Sequence, residues 1–425
     1  MDSTSFDDLT RAVGERLNRR SLGRLAGAGA LTAAVVATPA LGEAPEAEAR
    51  KKGRKRRQKA GAEHNVRGKK AIMCVNGETR KVPKSKRKKY LKQGATRGKC
   101  STPICVPNCP AGTCGDDGCG GQCPSCPTGQ VCAEGVCQVC NVNCTTGSTS
   151  TQCGDSLRDQ LVVGGNIYVC PGTYAGPFTV GNLASIYGAG SGTDATVDAI
   201  LTGEDTTQVM AVTFPGSVKL ANLRFTNGSS TYGANLTINN AAANVTVDQC
   251  AFANGQGEYG MGVCVENGAV TVSNSVFTGN NGDYTGGGLC AYYGAATVTN
   301  STFTGNTGED GGGALAAHYT GSTVSASGCT FTGNFSDYGG ALYAYQGTMT
   351  VTDSTVSGNT ADNGGGVYVY GPGSITLSPT VSVTGNTATA AGYGGGVYVY
   401  GGTFTQNGAT ISGNTPDQCV GVSCT

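Results

Sequence analysis

The chain has 425 residues, of which 38% are hydrophobic, 13% are charged and 70 are glycine, a composition that argues against an ordinary helical enzyme. Its 29 Lys and Arg nearly balance 28 Asp and Glu, yet residues 1–159 hold 27 basic and 14 acidic groups while residues 160–425 hold only Lys219 and Arg224 against 14 acids. Trp is absent, His64 and His318 leave little for a histidine triad or a multi-histidine metal site, and 20 Cys point to an oxidising compartment.

Residues 1–49 read as an export signal. Arg19-Arg20 stands ahead of a Gly/Ala-rich apolar run from Leu22 to Leu41, and Ala47-Glu48-Ala49 has the small-x-small cleavage pattern. The segment resembles a twin-arginine signal. Its weak hydrophobicity favours cleavage over retention as an anchor, and no other segment approaches membrane-spanning length. The expectation is an exported protein, secreted or held at the cell surface, with no transmembrane span after signal removal.

From Arg50 to Lys99 there are 21 Lys or Arg and two acids, Glu63 and Glu78. Residues 50–73 read as a basic linker, either a solvated spacer or a polycation that holds anionic polymer by salt-sensitive contacts. With Tyr90 its only aromatic, the stretch lacks the interleaving that base stacking needs, so no sequence-specific nucleic-acid partner is expected. Residues 74–100 resemble a small module of secreted bacterial proteins, with Cys74 and Cys100 at its ends as a disulfide candidate. Residues 101–153 form a Cys-rich spacer, with ten Cys between Cys105 and Cys144 and too little apolar content for a core. Cys123-Pro-Ser-Cys126 and Cys137-Gln-Val-Cys140 have zinc-knuckle spacing, but export and the even cysteine total favour disulfides. Cys153 and Cys170 are further disulfide candidates.

The remainder, 154–418, repeats. Phe277-Thr-Gly-Asn280, Phe303-Thr-Gly-Asn306, Phe331-Thr-Gly-Asn334, Val356-Ser-Gly-Asn359, Val383-Thr-Gly-Asn386 and Ile411-Ser-Gly-Asn414 follow at spacings of 26, 28, 25, 27 and 28. An alternating Thr/Val strand precedes each motif, and a polar turn and a glycine-led strand follow it, as in Gly286-Gly-Gly-Leu289 and Gly364-Gly-Gly-Val367. A period near 26 with two-residue alternation inside each copy predicts an all-β solenoid whose coils stack in register. The repeated Asn280, Asn306, Asn334, Asn359, Asn386 and Asn414 then form a structural amide ladder inside a turn, and the glycine triplets lack the strand-then-helix setting of a phosphate loop.

These FxGN and GG[AG][LV] pairs, over roughly residues 225–415, resemble the repeats of chlamydial polymorphic membrane proteins and related right-handed parallel β-helices. The segment Ser156-Leu-Arg-Asp-Gln-Leu161, followed by Ile167-Tyr-Val-Cys-Pro-Gly-Thr-Tyr174, is similar to the start of pectin-lyase-like β-helices, where a short amphipathic cap precedes the first strand. The resemblance implies a right-handed parallel β-helix of roughly nine to ten coils on a surface or secreted protein, often an adhesive one. Residues 419–425 are expected to close the end coil through Cys419 and Cys424.

Aligning the glycine-led strands places Leu289, Leu315, Leu342, Val367 and Val397 inward. The next column reads Cys264, Cys290, Ala316, Tyr343, Tyr368 and Tyr398, and a second outward column reads Glu266, Tyr292, His318, Tyr345, Tyr370 and Tyr400. Cys264 and Cys290 become a cross-coil disulfide candidate, whereas Cys250 and Cys329, three coils apart, are expected as buried free thiols. The stacked tyrosines Tyr292, Tyr343, Tyr345, Tyr368, Tyr370, Tyr398 and Tyr400 suit either a platform for a polysaccharide or cell-wall polymer or a purely stabilising exterior. Glu258, Asp283, Asp310, Asp337 and Asp362 form an acidic column, either solvated or bridged by calcium, the one cofactor that suits it. No catalytic residue is assigned. The alternative is a polysaccharide lyase or glycoside hydrolase of the pectin-lyase-like class, set against the scarcity of bases in the coils.

Overall fold

The computed structural model describes residues 70–75, 78–83, 86–92, 96–97, 109–115, 123, 125–390 and 393–424. The export signal, the linker as far as residue 69 and the Cys74–Cys100 pairing lie outside them. The chain divides into two compact units, residues 1–100 and 101–425. In the first, Lys70–Val75 pairs antiparallel with Glu78–Pro83, and Thr96–Arg97 adds to the free side of Lys70–Val75. Pairing from Lys70↔Pro83 onward therefore draws four residues of the expected linker into a hairpin. Val82 is buried against Tyr90 and Leu91 of the short helix Arg87–Lys92.

The second unit is a parallel β-solenoid of about ten coils. Each coil contributes a strand to a narrow sheet of ten strands, running from Gly172–Ala175 to Thr410–Ser412. A broad sheet holds 18 strands, and a short sheet of seven runs from Ser229–Tyr232 to Thr387–Ala388. Neighbouring coils pair parallel and in register, so Phe225, Phe252, Phe277, Phe303 and Phe331 form one column. Their rings stack at centroid distances of 4.9, 4.9, 4.4 and 5.2 Å. Leu289, Leu315, Leu342, Val367 and Val397 fill the interior from the broad sheet, as the alternation predicts. No copy could bury these residues alone; stacking supplies the missing partner surface.

The asparagine ladder is continuous. Each amide Nδ2 donates to the Oδ1 of the next coil's asparagine, from Asn280 to Asn414, at 2.9–3.0 Å. Each Oδ1 also accepts the backbone N–H of the preceding asparagine, and each Nδ2 reaches a backbone carbonyl. The side chains thus satisfy turn groups that water cannot reach. The ladder is longer than its motif. Gly255 stands where the Phe252 coil would carry its asparagine, and Asn235 fills the vacancy by donating to Asn280. At the other end Gln418 accepts from Asn414. A second ladder runs beside it, in which Ser275, Ser301 and Ser354 accept the backbone N–H of Cys250, Ser275 and Cys329.

The helix Ser150–Val163 covers the first coil. Thr149 and Gln152 form a capping box, and Leu157 and Leu161 are buried with Cys153. The cap expected over 156–161 thus begins earlier. Among described residues the spacer is disulfide-bonded, through Cys109–Cys123, Cys114–Cys132 and Cys126–Cys137. Cys140–Cys170 and Cys144–Cys153 tie it to the first coil and its cap, and Cys419–Cys424 closes the end of the chain. Cys250 and Cys329 are buried free thiols as expected. Cys264 and Cys290 are in register but also free, which corrects the cross-coil disulfide. Side chains at matching positions of parallel strands project side by side near the strand spacing of about 4.8 Å, wider than the about 3.8 Å between Cβ atoms of a disulfide.

Candidate functional site

The site lies where the broad and short sheets meet along the C-terminal coils. The glycine-led strands begin at Gly286, Gly312, Gly339 and Gly364, whose φ values of +63, +64, +69 and +65° are left-handed. This bend sets the short sheet against the outer side of the broad one. The first outward column is consequently covered: Cys264, Cys290 and Ala316 are fully buried, and Tyr343 and Tyr368 are only 7% and 5% exposed. Gly311 lies so close over Tyr343 that an added Cβ would stand 2.6 Å from its ring. Tyr343 and Tyr368 therefore do not belong to an open platform. They form its foundation, with the half-buried Tyr398 continuing the column. The Cys264 thiol is held well above its usual range by its hydrogen bond to Cys290 and by burial.

The second column remains accessible in part. Tyr292, His318, Tyr345, Tyr370 and Tyr400 stack one per coil at 5.3, 5.3, 5.3 and 5.5 Å. Exposure reaches 58% at Tyr400. A third stack is absent from the sequence reading. Tyr232, Tyr259 and Tyr284 on the short sheet stack at 5.0 Å each, and Tyr232 and Tyr259 meet Tyr292 edge-on at 5.5 and 5.3 Å. Tyr293 and Tyr319 add a parallel pair at 4.8 Å. The signal was present, since these tyrosines recur once per coil, but it lies outside the FxGN and glycine-led motifs.

His318 is packed inside this array. Its ring lies parallel to Tyr292 and edge-on to Tyr319 at 4.4 Å, and its buried Nδ1 has no hydrogen-bond partner. Burial pushes its pKa down to about 4, so the imidazole is neutral at neutral pH. It serves as an aromatic member of the stack.

The acidic column flanks the tyrosines on the short sheet. The pairings Gly257↔Gly282, Gly282↔Gly308, Gly308↔Ser336 and Ser336↔Ala361 are each followed by an acid, Glu258, Asp283, Glu309, Asp337 and Asp362, with a register shift between Gly257 and Tyr259 and only Asp337 and Asp362 bracketed by pairings on both sides. Glu309 is a further acid beside Asp310, and among the neighbouring charges Asp337 acts most on Asp310. The Glu309 carbonyl accepts the Asp337 N–H, while the Asp310 N–H turns to the Tyr284 carbonyl. Asp310 is the more buried of the two, and desolvation, then Asp337, Glu309 and Asp283, push its pKa up to about 6. Burial likewise raises Asp283 and Glu309. The two features share one corner. Tyr338, 38% exposed, lies 5.3 Å from Tyr368, and burial and then the carboxylates of Asp337, Asp310 and Asp362 raise its phenol. Asp362 accepts a hydrogen bond from the Thr389 hydroxyl.

These carboxylates follow the coil axis and do not converge. The one described group with three ligand atoms within 4.8 Å of one another is Cys114, Cys126 and Cys137, whose sulfurs are all in disulfides. The basic residues of the coils stand elsewhere. Lys219 donates to Glu134 of the spacer at 3.3 Å and lies over the Tyr187 ring, and Glu134 also accepts from the Tyr187 hydroxyl at 3.0 Å. Arg224 is half-buried, which lowers its pKa, with Asp198 opposing that shift.

Compared with known proteins, residues 216–416 match the model of the right handed beta helix region. Together with the stacked coils, the match makes the solenoid a right-handed parallel β-helix. Neither the curated proteins nor the solved structures yield a match.

Proposed function

We propose that the chain is an exported, non-catalytic adhesive protein whose β-helix binds glycan along the tyrosine-lined corner. One observation carries the reading: the tyrosine column from Tyr345 to Tyr400 is stacked one ring per coil, half-buried at Tyr345 and Tyr370 and exposed at Tyr400. Flat phenol faces match the C–H faces of sugar rings, and the phenol hydroxyls match their edges. The likeness of the repeats to those of chlamydial polymorphic membrane proteins supports an adhesive role. The disulfides support an oxidising destination, and the basic segment of residues 50–99 suits a tether to anionic wall polymer.

The pectin-lyase-like enzyme is the weaker reading. Proton abstraction requires a base beside the acids, and residues 225–425 contain neither Lys nor Arg. Lys219 is engaged with Glu134. A glycan array probed with the full chain and with Tyr370→Ser/Tyr400→Ser tests the proposal. Retention of specific glycans by the parent and their loss in the variant, with unchanged melting temperature, is the expected result. Equal retention by both, or an unsaturated or newly reducing product, overturns it.

A further inference from the structure

Tyr293 and Tyr319 follow the strands Leu289–Ala291 and Leu315–Ala317 of consecutive coils, two residues beyond the end of each. The His318 N–H donates to the Ala291 carbonyl at 3.0 Å and the Tyr319 N–H to the Tyr292 carbonyl at 3.1 Å, so the backbone fixes one turn over the other. The two rings lie parallel, 12° apart in plane and 4.8 Å between centroids. That is closer than the 5.0 Å steps along Tyr232, Tyr259 and Tyr284 or the 5.3 and 5.5 Å steps along Tyr345, Tyr370 and Tyr400. The same N–H to carbonyl pattern places Asn267 before Tyr293 and Gln346 after Tyr319, which isolates the pair within its column.

The pair also faces solvent. Tyr293 is 54% exposed and Tyr319 half-buried. Trp is absent from the chain, and in the coils the free thiols Cys250, Cys264, Cys290 and Cys329 and the thioethers Met210, Met261 and Met349 are buried. Oxidation of sulfur follows its exposure, so an oxidant arriving from solvent meets phenols first.

We propose that Tyr293 and Tyr319 form an oxidative cross-linking site, where hydrogen peroxide acting through a peroxidase joins the two rings as dityrosine. Each phenol gives up one electron and its O–H proton. The two phenoxyl radicals then form one carbon–carbon bond between ortho carbons, and the proton on each of those carbons returns to the ring oxygen. One peroxide accepts the two electrons and two protons and leaves as two waters. The bond ties two coils that no described disulfide joins. It does not depend on the sugar reading.

The test treats the full-length protein with hydrogen peroxide and a haem peroxidase, at a dilution that keeps chains apart, and follows dityrosine fluorescence, monomer mass and peptide maps. The expected result is a monomer lighter by two hydrogens whose cross-linked peptides hold Tyr293 and Tyr319. Tyr293→Phe and Tyr319→Phe keep the stacked rings and remove one phenol each, with melting temperatures verifying the fold. Either is expected to abolish the product in the monomer, whereas Tyr370→Phe/Tyr400→Phe leaves it. A parent product that maps to the other tyrosine stacks, a product that persists in Tyr293→Phe, or dityrosine confined to dimers overturns the proposal.

Discussion

Asn359 shows how much one side chain does in this fold. Its Oδ1 accepts from the backbone and the amide of Asn334, and its Nδ2 donates to the Phe331 carbonyl and to Asn386. Asn359→Ala strands these groups away from water and is expected to cost about 2–4 kcal/mol, read as a lowered unfolding midpoint. Two titrating residues act in opposite directions. Asp310 has a folded pKa of about 6, above the about 3.9 of an unfolded chain, so the folded state holds its proton more tightly. Its effect is a loss of stability as pH rises from about 4 through 6. Asp310→Asn should therefore raise the melting temperature at pH 7 and flatten that part of the profile. His318 is depressed to about 4. Its contribution is fully present above the unfolded value of about 6.5 and is lost as pH falls toward 4. His318→Phe keeps the ring stack and should reduce the loss between pH 6.5 and 4 in thermal melts.

Among the elements, the capping helix and the glycine-led bends hold the coils in place. Thr149→Ala removes the side-chain half of the capping box and should destabilise the first coil by about 1 kcal/mol. Gly311→Ala drives a methyl group toward Tyr343 in a cluster without free volume, and a larger loss is expected in chemical unfolding. The same bend explains what could and could not be read from the sequence. The inward columns and the asparagine ladder were legible because a two-residue alternation and one residue per coil express them directly. The covering of Tyr343 and Tyr368 was not, because alternation distinguishes inward from outward within one sheet and says nothing of a second sheet folding over it. Glu309, next to Asp310, went unannounced because a column read at equal spacing takes one residue per coil. Asn235 and Gln418 join the ladder from other positions in their coils, so no motif announced them.

Over the whole molecule, charge and chemistry are separated. Cations are concentrated before residue 160, whereas the coils beyond Arg224 carry acids alone. Lys219 serves an interface with the spacer, so the basic residues of the coils are structural in placement. The coils present rings and carboxylates along one edge, and under the proposed reading binding there would grow by repetition over successive coils. The pattern is legible in the repeat, whereas which tyrosines stay accessible depends on how the sheets are set against each other. The central claim, that this edge binds sugar through its tyrosines, is open to one direct reading. The chain has 18 Tyr and no Trp, so its intrinsic fluorescence reports on tyrosine alone. Titration with an oligosaccharide that the glycan array retains should give a saturable change in the parent that Tyr370→Ser/Tyr400→Ser abolishes; an unsaturable or absent change in the parent, or the same change in the variant, would contradict the account.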